Sequence, residues 1–232
     1  MKSDRKKYLT RLRLVTYFQK NSSYAEQYRT LRTNLNFIRG GEQIRSIVVT
    51  SAEAGEGKST TASNLAIVMA QQGKRVLLID ADIRKPTLHF AFQKGNSYGL
   101  TTLLTGQQAF EDALQKTDIE QLSLLASGPV PPDPADLLDS EEMAAVIRKA
   151  TIQFDKVILD SPPTLAVTDS KLIANLCDGL LLVVKSGATD IAKVQKAATE
   201  FSDVRAKFLG VVLNDQKLKR RDRDYYYYST GS

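Results

Sequence analysis

A glycine-rich segment between two patterned stretches constrains the fold of this chain more than any other feature. Residues 52–60 read Ala-Glu-Ala-Gly-Glu-Gly-Lys-Ser-Thr; they follow the apolar run Ile47-Val48-Val49 and lead into a stretch with helical spacing. A glycine-rich turn that ends a strand and opens a helix points several backbone N–H groups, and the positive end of the helix dipole, at one place. This order of strand, loop and helix predicts a cradle for phosphate.

The rest of the chain repeats the alternation of short apolar runs with helical segments. The candidate strands are residues 47–49, 76–79, 122–125, 157–159, 180–184 and 208–213. Helical spacing is found in residues 60–72, 141–150, 171–176 and 191–206, and residues 128–134 form a proline-rich loop. Runs that are apolar at every position are typical of strands buried on both faces of a parallel sheet. The sequence therefore predicts an α/β fold with a doubly wound, mostly parallel sheet.

Length and composition limit the number of domains and the class of protein. The chain has 232 residues, 42% hydrophobic and 25% charged, which suits one large α/β domain with a full core. No apolar run approaches the roughly 18 to 20 residues of a membrane span, and no signal-type core follows the N-terminus. The single cysteine, Cys177, excludes an internal disulfide, and we expect it to be a small buried hydrophobe. These features predict a cytoplasmic protein.

The predicted organisation has three regions. They are a basic leader over residues 1–21, a folded domain over residues 22–214 and a mobile tail over residues 215–232. The domain opens with an amphipathic helix over residues 22–38, which carries Leu31, Leu35 and Ile38 on one face. Gly40-Gly41 is predicted to end this helix.

The positive charge of the chain is confined to its two ends. The net charge is +6, yet residues 46–216 carry sixteen basic against twenty-one acidic side chains. Residues 1–45 carry eleven basic against three acidic side chains, and residues 217–224 carry five against two. A basic chain can bind nucleic acid or anionic lipid, but the predicted folded body is mildly acidic and contains no nucleic-acid-binding module. We therefore expect no nucleic-acid partner.

The glycine-rich segment supplies the residue types that hold a nucleoside triphosphate. It fits a phosphate loop, with Ala52 where the usual pattern has glycine. Gly55 and Gly57 let the backbone wrap, Lys58 can reach the β- and γ-phosphates, and the Ser59 hydroxyl is placed to bind Mg²⁺. The predicted cofactor-binding residues of the loop are Gly55, Glu56, Gly57, Lys58, Ser59 and Thr60. ATP and Mg²⁺ are the cofactors that this pattern predicts.

Carboxylates follow two further candidate strands. Asp80 and Asp82 come directly after residues 76–79, and Asp160 comes directly after residues 157–159. Carboxyl ends of parallel strands share one edge of the sheet, where ligands bind. A lone aspartate at a strand end usually caps a turn or helix, but two such sites beside a phosphate loop favour a common metal–phosphate site.

Five motifs occur in a specific order along the chain. They are Glu26-x-x-Arg29-x-x-Arg32, the phosphate loop, Asp80-x-Asp82-x-Arg84, Asp160-x-x-Pro163 and the cluster Tyr225-Tyr226-Tyr227-Tyr228. The combination resembles the bacterial tyrosine kinases of polysaccharide synthesis, and the resemblance covers residues 24–228. It implies a P-loop NTPase fold of the ParA/MinD-like type and an ATP-dependent protein-tyrosine kinase. The His-Arg-Asp and Asp-Phe-Gly signatures of eukaryotic kinases do not occur.

The resemblance also implies roles for individual residues. Lys58 would neutralise phosphate charge, while Ser59, Asp82 and Asp160 would hold Mg²⁺ or its bound water. An aspartate of the Asp-x-Asp pair would receive the tyrosine proton, and we favour Asp80.

Further roles fall outside the phosphate loop and the carboxylates. Arg84 is a predicted cofactor-binding residue, and Asn214, at the end of the last strand, is either an adenine contact or a strand-terminating turn residue. Tyr225–Tyr228 would accept phosphate from a neighbouring subunit, which the resemblance favours over transfer within one subunit. Glu26, Arg29 and Arg32 would mediate assembly into a ring.

The resemblance is to the family's stand-alone form, in which kinase and membrane activator are separate chains, because a Met1 start precedes a short basic leader. It implies a protein at the inner face of the membrane that binds the cytoplasmic tail of an activator. Protein-tyrosine substrates and a cognate phosphatase would be further partners.

Two rival functions share the predicted nucleotide site. A ParA/MinD-like positioning ATPase usually has a signature lysine five residues before the phosphate-loop lysine, where this chain has Glu53, and lacks a terminal tyrosine cluster. An ATP-gated scaffold of a polysaccharide export complex would bind ATP without transferring phosphate. Transfer of label from γ-labelled ATP to the tail separates the kinase from both.

Overall fold

A sheet of seven strands organises the chain in the computed structural model, which describes residues 14–38 and 44–216. The strands are β1 (Ser46–Ser51), β2 (Val76–Asp80), β3 (Gln115–Lys116), β4 (Leu122–Leu125), β5 (Lys156–Asp160), β6 (Gly179–Lys185) and β7 (Lys207–Asn214). The longer helices are α2 (Ser23–Asn36), α3 (Lys58–Ala70), α8 (Glu141–Gln153), α9 (Asp169–Leu176) and α10 (Ile191–Thr199). Short helices are α1 (Val15–Phe18), α4 (Leu88–Ala91), α5 (Leu100–Leu104), α6 (Phe110–Ala113) and α7 (Pro134–Leu138).

The strand order is β3-β4-β2-β5-β1-β6-β7, and each neighbouring pair is parallel except β3 with β4. All residues of β1 and β2 are buried, as the uninterrupted apolar runs predict. The doubly wound, mostly parallel sheet is therefore confirmed. Strand β3 was not predicted from the sequence, because its two residues are polar and pair with only two residues of β4.

Helix α3 is enclosed by the rest of the fold. Residues 61–70 of this helix are all buried, between the sheet on one side and α1 and α2 on the other. The Asn64 side-chain oxygen accepts hydrogen bonds from the Thr16 backbone N–H at 3.0 Å and from the Thr16 hydroxyl at 2.8 Å. Leu14 is buried in the same apolar cluster. Residues 14–18, which fall within the predicted leader, thus pack against the folded body; residues 1–13 lie outside the described residues.

Helix α2 is shorter than the predicted helix over residues 22–38. The Ser22 side chain caps it by accepting a hydrogen bond from the Ala25 N–H at 3.2 Å, and the helix ends at Asn36. Leu31 and Leu35 pack against the apolar cluster around α3, as their spacing predicts. Ile38 lies beyond the helix, and Gly40-Gly41 lies outside the described residues.

The other predicted helices are found with altered ends. The largest change is in α10, which stops at Thr199 although the pattern extends to residue 206. Phe201 and Ala206 are buried in the core cluster beneath the sheet, so their apolar spacing reflects a turn that enters the core. Pro134, placed in the proline-rich loop, is the first residue of α7, a position where proline costs the helix no hydrogen bond.

The described residues also bear on the state of the cysteine and on membrane-spanning helices. Cys177 is a free, buried cysteine, as predicted. None of the helices described here is both long enough and apolar enough to cross a bilayer.

Candidate functional site

Three strand ends bring the predicted site residues to one edge of the sheet. Strands β2 and β5 are neighbours, and Asp80 pairs in register with Asp160. Strand β1 lies on the other side of β5, with Val49 opposite Asp160. The loop that follows β1 ends in Lys58, the first residue of α3. The phosphate loop and both carboxylate segments therefore meet at the carboxyl edge of the sheet.

The phosphate loop requires its glycines. Gly55 and Gly57 have φ values of 86° and 96°, in the left-handed region that favours glycine. A Cβ on Gly57 would lie 2.0 Å from the side-chain nitrogen of Asn214. That nitrogen donates a hydrogen bond of 2.9 Å to the Glu56 carbonyl oxygen. Asn214 thus contacts the loop directly instead of only ending β7, and its contact with adenine stays a prediction.

Two further contacts fasten the phosphate loop to the segment after β6. The buried Glu56 carboxylate accepts hydrogen bonds from the Glu53 N–H, at 2.8 Å, and from the Thr189 hydroxyl. The Glu53 carboxylate forms an ion pair of 2.7 Å with Lys193 of α10. The sequence analysis missed Thr189 and Lys193, because both are distant in sequence from any motif.

The Lys58 ammonium lies between two carboxylates. Its Nζ is 2.8 Å from Asp82 Oδ2 and 3.7 Å from Asp160 Oδ1. Burial alone would lower the pKa of Lys58, but the carboxylates of Asp160 and Asp82 outweigh it and raise the pKa. Lys58 therefore carries a fixed positive charge at the end of the phosphate loop, where triphosphate oxygens need one.

Asp160 is fully buried, and neither carboxylate oxygen accepts a hydrogen bond of ordinary length from the described residues. Burial raises the pKa of Asp160, and the nearby charge of Lys58 partly opposes this rise. A buried carboxylate without donors is costly unless a cation completes its environment. The orphaned oxygens are thus consistent with a site for a cation that the protein binds during function.

The donor set around Asp160 fits Mg²⁺ better than a metal held by protein ligands alone. The described residues contain no group of three or more His, Cys, Asp or Glu side chains arranged to hold a metal ion. Mg²⁺ commonly takes one or two carboxylates and completes its shell with water and substrate phosphates. Asp160, Asp82 and the neighbouring Ser59 hydroxyl would supply such a partial shell.

Asp80 shapes the loop that follows β2. Its Oδ2 accepts hydrogen bonds from the backbone N–H groups of Thr87, at 3.0 Å, and Leu88, at 2.9 Å. Its Oδ1 has no hydrogen-bond partner among the described residues, and the whole side chain is buried. Burial, and then the charge of Asp160, raise the pKa of Asp80. Asp80 therefore combines a structural role with one carboxylate oxygen that has no hydrogen-bond partner among the described residues.

Arg84 is held by a residue that the sequence analysis did not identify. Its Nε and Nη2 donate hydrogen bonds of 2.7 and 2.9 Å to the two carboxylate oxygens of Asp169. Asp169 is fully buried and is the first residue of α9. In sequence, an aspartate in the first turn of a helix suggests only a favourable contact with the helix dipole. The structure shows that it also connects α9 to the loop that carries Asp82.

Replacing Asp169 with Asn should loosen this connection. We expect the Asp169→Asn variant to lose about 1–3 kcal/mol of unfolding free energy, because Asn provides only one acceptor for a guanidinium that has two donors in place. Urea unfolding followed by circular dichroism measures the change. The matched control is Asp203→Asn, an exposed site, where the change should stay within about 0.5 kcal/mol. Equal stability of the two variants would contradict the assigned role.

The predicted oligomerisation residues have partners within the chain. Arg29 forms an ion pair of 2.7 Å with Glu26 and donates a hydrogen bond of 2.6 Å to the Lys20 carbonyl oxygen. Arg32 donates a hydrogen bond of 2.8 Å to the Val68 carbonyl oxygen of α3. Arg32 thus helps to fix α2 against the body. The acceptor cluster Tyr225–Tyr228 lies outside the described residues.

Comparisons with known proteins agree with the arrangement of this site. A family model described as an AAA domain matches residues 44–209. Tyrosine-protein kinase YwqD of Bacillus subtilis (strain 168) is 45% identical over 217 residues, which are 94% of this chain and 91% of that protein. The crystal structure of the chimerical protein CapA2B2 is 37% identical, with a TM-score of 0.85 over 88% of this chain and 90% of that one.

A more distant structure defines the wider fold. The cell division ATPase MinD of Pyrococcus furiosus has a TM-score of 0.65 over 79% of each chain, at 23% identity, which shows a shared fold alone. The much higher identity to YwqD, together with Glu53 at the position of the signature lysine, separates this chain from the MinD-like ATPases within that fold. The chain belongs to the family of bacterial tyrosine-protein kinases.

Proposed function

We propose that the protein uses ATP and Mg²⁺ to phosphorylate protein tyrosines, including its own Tyr225–Tyr228. The observation that carries the proposal is the convergence of Lys58 with the carboxylates of Asp82 and Asp160 at the mouth of a phosphate loop, where neither oxygen of Asp160 accepts a hydrogen bond from the described residues. Transfer of a phosphoryl group depends mainly on positioning and on charge stabilisation, which these groups can supply.

Each residue of the site has a distinct proposed role. Backbone N–H groups of the phosphate loop bind the β-phosphate, and Lys58 leaves the carboxylates to contact the transferring phosphate. Ser59, Asp82 and Asp160 would hold Mg²⁺, which when bound shields the negative charge of the phosphates. Asn214, which donates a hydrogen bond to the Glu56 carbonyl oxygen, would contact the adenine.

An aspartate must orient the acceptor and take its proton, because a free tyrosine has a pKa near 10. Asp80 is the candidate that we favour, since one of its oxygens is uncommitted. Asp82 is the alternative, although its Oδ1 accepts a hydrogen bond of 3.1 Å from the Lys85 N–H and its Oδ2 contacts Lys58.

Partners are proposed by analogy with the relatives. The CapA2B2 chimera suggests a complex with a separate activator, for which we propose the cytoplasmic tail of a membrane protein. The chain would then act at the inner face of the membrane, in exopolysaccharide or capsule synthesis. We further propose assembly into a ring through α2, with protein-tyrosine substrates and a cognate phosphatase as additional partners.

A mixing experiment tests the proposal. One chain carries Lys58→Met and an intact tail; the other is active but has Phe at all four positions 225–228. The two purified chains are incubated together with Mg²⁺ and γ-labelled ATP. We expect label as phosphotyrosine in the tail of the Lys58→Met chain, because transfer between subunits needs only one intact site and one intact acceptor.

Each chain incubated alone is the control, and neither should become labelled on the tail. Absence of label in the mixture at every concentration, with label in the wild-type protein, would show that transfer occurs within a subunit. Absence of label in the wild-type protein as well, with ATP bound, would instead favour the ATP-gated scaffold.

A further inference from the structure

A cavity of about 220 Å³ lies outside the groups used so far. It is lined by residues 164–168, Lys171, Lys196 and Glu200. These residues come from the loop after β5, the first turn of α9, and the end of α10 with the residue that follows it. The cavity is therefore formed where three separate segments meet, at the side of the sheet that carries α9 and α10.

Backbone contacts place this cavity beside the proposed active site. The Thr164 N–H donates a hydrogen bond of 2.8 Å to the Ser51 carbonyl oxygen, and the Leu165 N–H donates one of 3.2 Å to the Ala52 carbonyl oxygen. Ser51 and Ala52 are the last residues before the turn of the phosphate loop. On its other side, the cavity is joined to the carboxylate loop, because Lys171 follows Asp169, the partner of Arg84. The wall of the cavity is thus continuous with both halves of the site.

The charges in the cavity have no assigned partners. Lys171, Lys196 and Glu200 form no ion pair or hydrogen bond through their side chains with the other described residues. Two positive groups and one negative group therefore face a space next to the site of phosphoryl transfer. Such a mixed set suits a peptide of alternating charge better than a free anion, which Glu200 would repel.

The chain contains one segment with the matching pattern. Residues 221–224 read Arg-Asp-Arg-Asp, directly before Tyr225, and lie outside the described residues. Its two carboxylates complement the two lysines, and an arginine complements Glu200. An extended peptide advances at most about 3.3–3.6 Å per residue. Tyr225–Tyr228 follow Asp224 by one to four residues, so a segment bound in the cavity would keep them within about 3–14 Å of its end.

We propose that this cavity docks the Arg-Asp-Arg-Asp segment of a second copy of the chain and so selects tyrosines preceded by acidic residues. The inference rests on the proposed kinase function and specifies how that site recognises its protein substrate. Lys171 and Lys196 act on substrate affinity and not on the chemical step, because they contact residues that precede the acceptor.

Peptide kinetics test this inference. Two peptides contain the sequences Arg-Asp-Arg-Asp-Tyr-Tyr-Tyr-Tyr and Arg-Asn-Arg-Asn-Tyr-Tyr-Tyr-Tyr. They are offered to the wild-type protein and to the double variant K171E/K196E, and KM and kcat are measured with saturating ATP and Mg²⁺. We expect the Asn peptide to have a KM about three- to tenfold higher with the wild type, as two solvent-exposed ion pairs would give. The double variant should raise KM for the Asp peptide at least as much and lose the preference, with kcat unchanged.

The matched control is K74E, an exposed lysine near the start of β2, at the opposite edge of the sheet. It changes the net charge in the same direction without touching the cavity. Binding of a fluorescein-labelled copy of each peptide, followed by anisotropy without ATP, gives a readout that is independent of catalysis.

The outcomes separate the inference from the function on which it rests. Equal KM and equal binding of the two peptides by the wild type would overturn the docking site while leaving the kinase standing. Equal losses in K74E and in the double variant would also overturn it, since bulk charge would then explain the effect. If the wild type binds ATP but phosphorylates neither a peptide nor its own tail, both the kinase function and the inference fail.

Discussion

The Lys58→Met variant is expected to lose tail phosphorylation by a factor of about 10²–10³ or more, which is the usual cost of removing a group that stabilises charge in a transition state. Lys58 is the positive group nearest the two carboxylates of the site, with Nζ 2.8 Å from Asp82 and 3.7 Å from Asp160. Methionine has a similar length but no charge, so the phosphate loop keeps its shape. Quantitative mass spectrometry of the tail after incubation with ATP and Mg²⁺ measures the loss.

The substitution also leaves two buried carboxylates without their cation. Removal of one partner of a buried ion pair typically costs about 3–5 kcal/mol, so a lower melting temperature is expected. The double variant Lys58→Met with Asp160→Asn should recover part of that stability and none of the activity, which separates chemistry from folding. The Lys74→Met variant, far from the site, should change neither tail phosphorylation nor the melting temperature. Normal tail phosphorylation in a purified Lys58→Met variant would exclude this lysine from the reaction.

In the Asp160→Asn variant we expect activity to fall while stability stays level or rises, whereas Lys58→Met should lower both. We expect phosphorylation to fall by about 10²-fold or more, because an amide is a poor ligand for Mg²⁺. The melting temperature should stay level or rise, because the fully buried carboxylate accepts no hydrogen bond from the described residues and Lys58 keeps its closer partner, Asp82, at 2.8 Å. Stabilising substitutions commonly raise the unfolding free energy by about 0.5–2 kcal/mol.

Asp155→Asn is the matched control for this variant. Asp155 directly precedes the same strand, at the opposite edge of the sheet. It is partly exposed and forms an ion pair of 3.2 Å with Arg75. Its replacement should slightly lower stability and leave phosphorylation unchanged. A less stable but fully active Asp160→Asn variant would assign Asp160 to the structure and not to the metal site. Thermal unfolding and phosphotyrosine analysis of the same two preparations make the comparison.

The sequence predicted those parts of the fold whose signal is local. Runs of apolar residues identified the parallel strands, since strands buried on both faces need no polar positions. The phosphate loop, Asp80 and Asp160 were placed together because carboxyl ends of parallel strands share an edge. Their register, with Asp80 opposite Asp160, is consistent with that argument.

Features that depend on contacts between distant residues were not predictable in this way. Asp169 reads as an ordinary helix-start residue until its pair with Arg84 is seen, and Thr189 and Lys193 have no motif at all. The end of α10 was misplaced because Phe201 continues an apolar spacing that in fact belongs to a buried turn. Asn64, central to the attachment of residues 14–18, lies inside a helix pattern that predicts only burial.

The fate of the γ-phosphate distinguishes a kinase from an ATPase. The purified wild-type protein is incubated with Mg²⁺ and γ-labelled ATP, and label is quantified separately as inorganic phosphate and as phosphotyrosine within residues 225–228. We expect phosphotyrosine to accumulate in this cluster and to fall by about 10²-fold or more in the Lys58→Met variant. Release of label as inorganic phosphate, with unmodified tyrosines in a folded protein that turns over ATP, would refute the kinase function and favour a positioning ATPase of the MinD type.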